Sequence, residues 1–253
     1  MAMFFKKILL FILIISVLES KAQNDSTTHF YGSVGLTNNG FSIVPAFSLN
    51  SPAIITNLAW RRKQFSFEPD LRVRPDMTKG SLLFWLRYRI VDKEKFSLRI
   101  GAHPAFNLIR KEVNDEGVNR EITEFQRFGA FEIVPSYQFS KKFGMSIAYL
   151  EGHRFQEVGP KTANILFFNT SFTGLGLSKK VSLNLFPSYF FLNADGSKGN
   201  YLTLTTILAH KKSPFKLGST INQTINSNIP GNKNFMWNVS LLYSFDKRLK
   251  RIG

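Results

Sequence analysis

Charged side chains recur at alternate positions over one stretch of the chain, and any chemistry would have to start there. Glu68, Asp70, Arg72 and Arg74 stand two apart, as do Arg87 and Arg89. Arg99, His103 and Asn107 keep one parity, and so do Glu124, Gln126, Glu132 and Gln138. In a strand, successive side chains point to opposite faces, so residues two apart share a face. Acids and bases gathered in this way can do two kinds of physical work. An arginine row facing water concentrates anions and repels cations. Arginines paired with acids on neighbouring strands neutralise one another and fill space. Both readings stand at this point. The residues that carry either are Arg72, Arg87, Arg89, Arg99 and His103, with Glu68, Asp70, Glu124 and Glu132 as the opposing charges.

Bond-making chemistry has few candidates. There is no cysteine, hence no disulfide framework and no thiolate metal site. The histidines are His29, His103, His153 and His210. Only His103 falls inside a strand among charged neighbours, where a hydrogen-bonded wall residue is the expected role rather than a general base. The segment Asn193 to Gly199 has the outline of a calcium loop but lacks the terminal Glu, and reads as a tight surface loop. No Gly-rich phosphate loop or nucleotide motif is present, so no cofactor and no metal is expected. The chain carries 33 Lys+Arg against 17 Asp+Glu, a formal net charge of +16. That excess has no nucleic-acid recognition motif beside it, and no nucleic-acid partner is expected.

The elements that must hold these residues are strands. After residue 23 the chain shows short segments that alternate apolar and polar residues between turn residues, the period-two signal. The last segment is the clearest. Phe235, Trp237, Val239, Leu241, Tyr243 and Phe245 fall on one face, and Asn234, Met236, Asn238, Ser240, Leu242 and Ser244 on the other. Strands are expected near 41–48, 53–60, 64–74, 81–91, 95–109, 121–139, 142–152, 163–174, 179–192, 200–210, 214–225 and 234–245, with 29–36 as a further strand or the start of a long first one. From residue 91 onward the connections are expected to alternate short and long. Prolines 45, 69, 135 and 187 interrupt these runs and cost ladder hydrogen bonds.

If the large apolar face points to lipid, parity sends the charges inward, because a charge facing lipid at mid-membrane costs ~2–4 kcal/mol. One side of the lumen is then charged. Later strands offer Ser, Thr and Asn, among them Ser146, Asn169, Ser188, Thr203, Thr205 and Asn222. A soluble β-sandwich also alternates, but it buries its apolar face on a second sheet and has no need of repeated aromatic strand ends.

The start of the chain points to export. Lys6 and Lys7 precede an apolar stretch from Ile8 to Leu18, and Ser20-Lys21-Ala22 provides small residues for cleavage. The stretch is shorter than the ~20 residues a membrane helix needs. The expected organisation is a signal peptide over 1–22, an N-terminal segment over 23–40, a barrel over 41–245 and a basic extension over 246–253.

Signal peptide, alternation and aromatic closing strand together resemble bacterial outer-membrane β-barrels, across residues 41–245. The resemblance implies an all-β, transmembrane, antiparallel up-and-down barrel of about 12 strands, with 10 or 14 as alternatives. It implies outer-membrane lipid and the barrel-assembly machinery as partners, periplasmic termini, and an oligomeric state left open. Eight residues follow the final aromatic, a departure from the usual closing strand. None of the histidines sits in the His-x-Ser arrangement of outer-membrane lipases. The expected function is a porin-like channel for small solutes with a preference for anions. A non-transport accessory barrel of an envelope or secretion complex is the alternative, followed by a lipid-modifying enzyme.

Overall fold

The computed structural model describes residues 27–41, 48–115, 118–156 and 160–250. The expected signal peptide and the last three residues lie outside them. Twelve strands form a closed antiparallel barrel in which each is paired to its sequence neighbours and the first meets the last. They are β1 Thr27–Thr37, β2 Ala53–Arg62, β3 Phe65–Val73, β4 Gly80–Asp92, β5 Phe96–Asp115 and β6 Val118–Gln138. The remainder are β7 Phe143–Arg154, β8 Thr162–Gly176, β9 Val181–Ala194, β10 Ser197–His210, β11 Phe215–Ser227 and β12 Phe235–Lys250. Closure removes the unpaired edge that an open sheet would present.

The count of twelve agrees with the sequence, but three local assignments do not. The first strand is Thr27–Thr37, in the stretch read as an N-terminal segment. It pairs from Thr27↔Lys250 to Thr37↔Ser240, so the barrel begins well before residue 41. Residues 42–47, inside the strand expected at 41–48, lie outside the described residues. Arg110–Arg120, expected as a loop, is instead a hairpin that carries the β5–β6 ladder on to Asp115↔Val118. The longer loop expected at 193–199 is a two-residue turn. Asp195 and Gly196 have φ of 49° and 89°, the left-handed pair of a type I′ hairpin, and an Asp-Gly sequence is suited to it.

The alternation expected of the strands is present all the way round. Leu36, Trp60, Leu86, Phe131, Leu202 and Trp237 face outward, each with over two-fifths of its surface open. An apolar belt of this extent belongs against lipid rather than water. Prolines within strands sit where one ladder opens. Cα pairing skips from Asn57↔Asp70 to Trp60↔Phe67 beside Pro69, and from Leu83↔Ala105 to Leu86↔Ala102 beside Pro104. It skips from Ile133↔Tyr149 to Ser136↔Ser146 beside Pro135, and from Asn169↔Ser188 to Phe172↔Leu185 beside Pro187. Having no N–H to donate, each proline occupies the gap its sequence creates.

Candidate functional site

The lumen is the site, and its contents differ from wall to wall. On the β3–β6 side the centre is an ion-paired network. Arg87 reaches across β5 to Glu132, with Nε at 2.8 Å from Oε1 and Nη2 at 3.3 Å from Oε2. Its Nη1 donates to Glu68 Oε2, whose other oxygen accepts from Ser66 Oγ at 2.6 Å. Arg99 Nε stands 3.0 Å from Glu132 Oε1, an ion pair without hydrogen-bond alignment. The guanidinium of Arg87 also lies 4.2 Å over the Trp85 ring, and the Trp85 and His103 rings are 4.0 Å apart. Trp85, His103 and Glu132 are all buried.

Gly101 makes this bridge possible. It pairs with Arg87 on one side and Glu132 on the other. A Cβ there would stand 2.9 Å from Arg87 Cγ and 3.0 Å from Glu132 Cγ. Without one, the two side chains meet over the backbone of β5.

The structure therefore brings together Glu68, Arg87, Arg99 and Glu132, with His103 packed beside them. Asp70 and Arg72 form a separate pair at 2.8 Å. Arg89 lies toward the end where the described barrel begins and finishes, at Thr27 and Lys250, and pairs with Asp92 at 3.2 Å, an acid that Arg61 also holds at 2.5 Å. Glu124 is at the opposite end, near Lys111 at 3.6 Å and Gln126 at 3.5 Å. Four of the nine expected residues thus meet in one cluster, His103 packs beside it, and the other four are distributed along the wall.

The wall from β7 to β11 is layered. Toward the end of Thr27 and Lys250 it is hydroxyl and amide. Ser188 Oγ donates to Asn169 Oδ1 at 2.7 Å, Asn169 Nδ2 to Ser146 Oγ at 3.4 Å, and Thr205 and Thr220 share a bond of 3.0 Å. A cavity of about 560 Å³ opens here. Ser146, Asn169, Ser171, Ser188, Thr203 and Thr205 line it on one side, and Arg89, Ser97, Ser136 and Gln138 on the other. Asp92, Lys93, Glu94 and Lys95 of the β4–β5 turn line it too, so it opens at the end of Thr27 and Lys250.

Beyond that chamber the same wall turns apolar. Phe190 and Tyr201 stack with ring centroids 4.7 Å apart, Phe167 lies 5.1 Å from Phe190, and Ile165 and Leu192 complete the layer. Ile229, in the loop from β11 to β12, packs onto it. The loop is held by Asn228 Oδ1, which accepts the Lys198 N–H at 2.5 Å, and by Ser227 Oγ, which bonds Tyr201 Oη at 2.8 Å and accepts the Ile229 N–H at 3.1 Å. Phe190 and Tyr201 have no exposed surface, so the stacked pair is fully covered at this level.

Sequence reasoning missed this apolar layer and Trp85. The signal was available in Ile165-Leu166-Phe167-Phe168 and Tyr189-Phe190-Phe191-Leu192, where alternation gives way to continuous apolar runs. Such a run marks a strand buried on both faces.

No protein-family model and no curated protein matches the chain by sequence. Solved structures it is similar to include the KdgM porin in complex with disordered oligogalacturonate, at 10% identity and a TM-score of 0.49 over 87% of this chain and 99% of that one. The CymD monoaromatic hydrocarbon channel follows at 8% identity and a TM-score of 0.42, over 90% of each chain. Outer-membrane expressed OmpT of Vibrio cholerae is at 9% identity and a TM-score of 0.41, over 88% of this chain and 99% of that one. With TM-scores under 0.5 these likenesses carry no argument, and fold and function are both read from this barrel's own residues.

Proposed function

We propose that the chain is an outer-membrane channel for small polar solutes, seen in a closed conformation. The chamber of about 560 Å³ that enters the barrel from the end of Thr27 and Lys250 carries this reading. The hydroxyl and amide part of its lining can exchange hydrogen bonds with a hydrated solute as water would, beside the apolar Phe96, Phe186 and Pro187. The ion-paired network adds no net charge of its own, since Arg87 and Arg99 are matched by Glu68 and Glu132. A preference for anions is therefore assigned to the chamber mouth, where Arg89, Lys93 and Lys95 outnumber Asp92 and Glu94. The path is shut by the layer of Phe190, Tyr201 and Ile229, the last on a loop that can withdraw.

Single-channel recording in a KCl gradient tests this. Wild type is expected to show discrete, infrequent openings with a chloride-leaning reversal potential. Ile229→Ser is expected to raise the open fraction, and Arg89→Ala to weaken the chloride preference. Silence from a folded, inserted wild-type barrel would exclude the channel. The second reading, a non-transport accessory barrel, is favoured by the packed layer and by the neutral network, and would stand in that case.

A further inference from the structure

The two rims of the barrel differ in charge in a way that solute passage does not require. At the end of Thr27 and Lys250, five short turns join β2 to β3, β4 to β5, β6 to β7, β8 to β9 and β10 to β11. Three of them carry a lysine pair at the tip: Lys141 and Lys142, Lys179 and Lys180, Lys211 and Lys212.

These tips share a construction. Ser140 Oγ accepts the N–H groups of Lys142 and Phe143 at 3.2 and 3.1 Å, and Ser178 Oγ accepts those of Lys180 and Val181 at the same two distances. In the third turn His210 Nδ1 accepts the Lys212 N–H at 3.3 Å, and Ser213 Oγ accepts the Phe215 N–H at 3.1 Å. The turn's polar residues satisfy its backbone, and all six lysines are exposed.

Acids do not balance them. Among the described residues this rim has Asp92, Glu94 and Asp246. Asp92 is held by Arg61 and Arg89, and Asp246 by His29. The opposite rim is mixed in sign, with pairs such as Arg110–Glu121 and Arg74–Asp76.

An aromatic girdle fixes the depth of the basic rim. Phe139, Phe143 and Phe172 stack in sequence at 5.1 and 4.9 Å, and Phe215 meets Tyr243 at 5.5 Å, each group next to a lysine pair. Aromatic girdles mark the head-group level of a membrane. The lysine pairs lie beyond these aromatics at the turn tips, Lys141 and Lys142 between Phe139 and Phe143 and Lys211 and Lys212 just before Phe215, at the level of lipid phosphates. The pairs sit on successive hairpins round the perimeter, which suits an annulus of separate lipids better than one compact partner.

We propose that this rim binds anionic glycerophospholipid head groups, each lysine pair holding a phosphate of the adjacent leaflet. The proposal rests on the membrane-barrel reading and adds the class of lipid. Each basic residue near an anionic surface favours it by about fivefold, so even a partly screened pair gives a measurable preference.

The test is boundary-lipid selectivity in nanodiscs of phosphatidylcholine and phosphatidylglycerol, read with spin-labelled forms of each. Wild type should prefer phosphatidylglycerol by about fivefold, falling as salt rises. Replacing the six lysines by Gln should lower the preference at least about twofold, the exposed Arg62 and Lys63 of the β2–β3 turn accounting for what remains. Replacing Lys111, Lys161, Lys198 and Lys233 of the opposite rim by Gln should leave it. Equal affinity in wild type, a preference undiminished by the sixfold change, or one lost only on the opposite-rim change overturns the proposal. Heat-modifiable mobility on gels separates the two levels of failure. A chain that never inserts as a barrel defeats the membrane reading itself, whereas an inserted barrel without the preference defeats only the lipid assignment.

Discussion

The two walls of the lumen reach similar burial by opposite chemistry. On β4–β6, Trp85, His103 and Glu132 are buried around a salt-bridge network, while on β8–β10 Ile165, Phe190, Leu192 and Tyr201 are buried against one another. The charged wall depends on every partner being present, because a buried charge left without one keeps the full desolvation penalty. The apolar wall depends on volume and contact, and each residue contributes roughly in proportion to what it fills. The first is therefore all-or-none and the second graded.

Glu132→Ala should give the largest effect. It strips Arg87 of two contacts and Arg99 of its ion pair at once. The expected loss is about 4 kcal/mol in a urea titration of the folded barrel in lipid, followed by tryptophan fluorescence. Adding Arg87→Met, Arg99→Met and Glu68→Gln, so that no charge of the network is left unpaired, should restore most of it. If this quadruple variant is no more stable than Glu132→Ala, the charges are not what couples these residues.

Phe190→Ala should cost somewhat less, about 3 kcal/mol in the same titration. Its effect should add closely to that of a change in the charged wall, because the ring contacts of Phe190 are with Phe167 and Tyr201 of its own wall. Strong non-additivity between Phe190→Ala and Glu132→Ala would mean that the interior behaves as one unit, and the contrast between the walls would fail.

How far each wall can be read from the sequence follows from the same contrast. Charges two residues apart are conspicuous, so Glu68, Arg87, Arg99 and Glu132 stand out along the chain. That they meet is not visible there. Their pairing depends on the registers Arg87↔Gly101 and Gly101↔Glu132, and on a glycine at the crossing. Register is a long-range property, and hydrophobic alternation sets only its parity. The apolar wall is hidden for another reason. Phe167 and Phe190 resemble their lipid-facing neighbours Phe168 and Phe191 in type, and parity alone shows that they point inward. Strand existence is legible throughout, though β1 only as the alternative strand at 29–36. Its sequence Thr27–Thr37 holds two glycines and few large apolar residues, and it is defined chiefly by its partners β12 and β2.

The smallest expected effect lies at the rim of the apolar half, where charge and turn geometry combine. Asp195, in the β9–β10 turn, accepts the N–H groups of Thr162 at 2.9 Å and Lys161 at 2.6 Å, and the Thr162 hydroxyl at 3.2 Å. The backbone bonds from Thr162 and Lys161, with the hydroxyl and the nearby Arg154, hold its carboxyl below the usual carboxylate range. A carboxyl whose pKa is lower in the folded state stabilises that state above its unfolded pKa. The contribution is lost as pH falls through the lowered folded value. Hydrogen exchange at the Lys161 and Thr162 amides, corrected for intrinsic rate, should therefore be slow at neutral pH and quicken once pH drops below the ordinary carboxylate range. In Asp195→Asn the same amides should exchange faster at neutral pH and lose that dependence. Protection that persists unchanged in both would mean that strand pairing, and not the carboxylate, ties the start of β8 to this turn. The graded behaviour assigned to the apolar half would then extend to its rim.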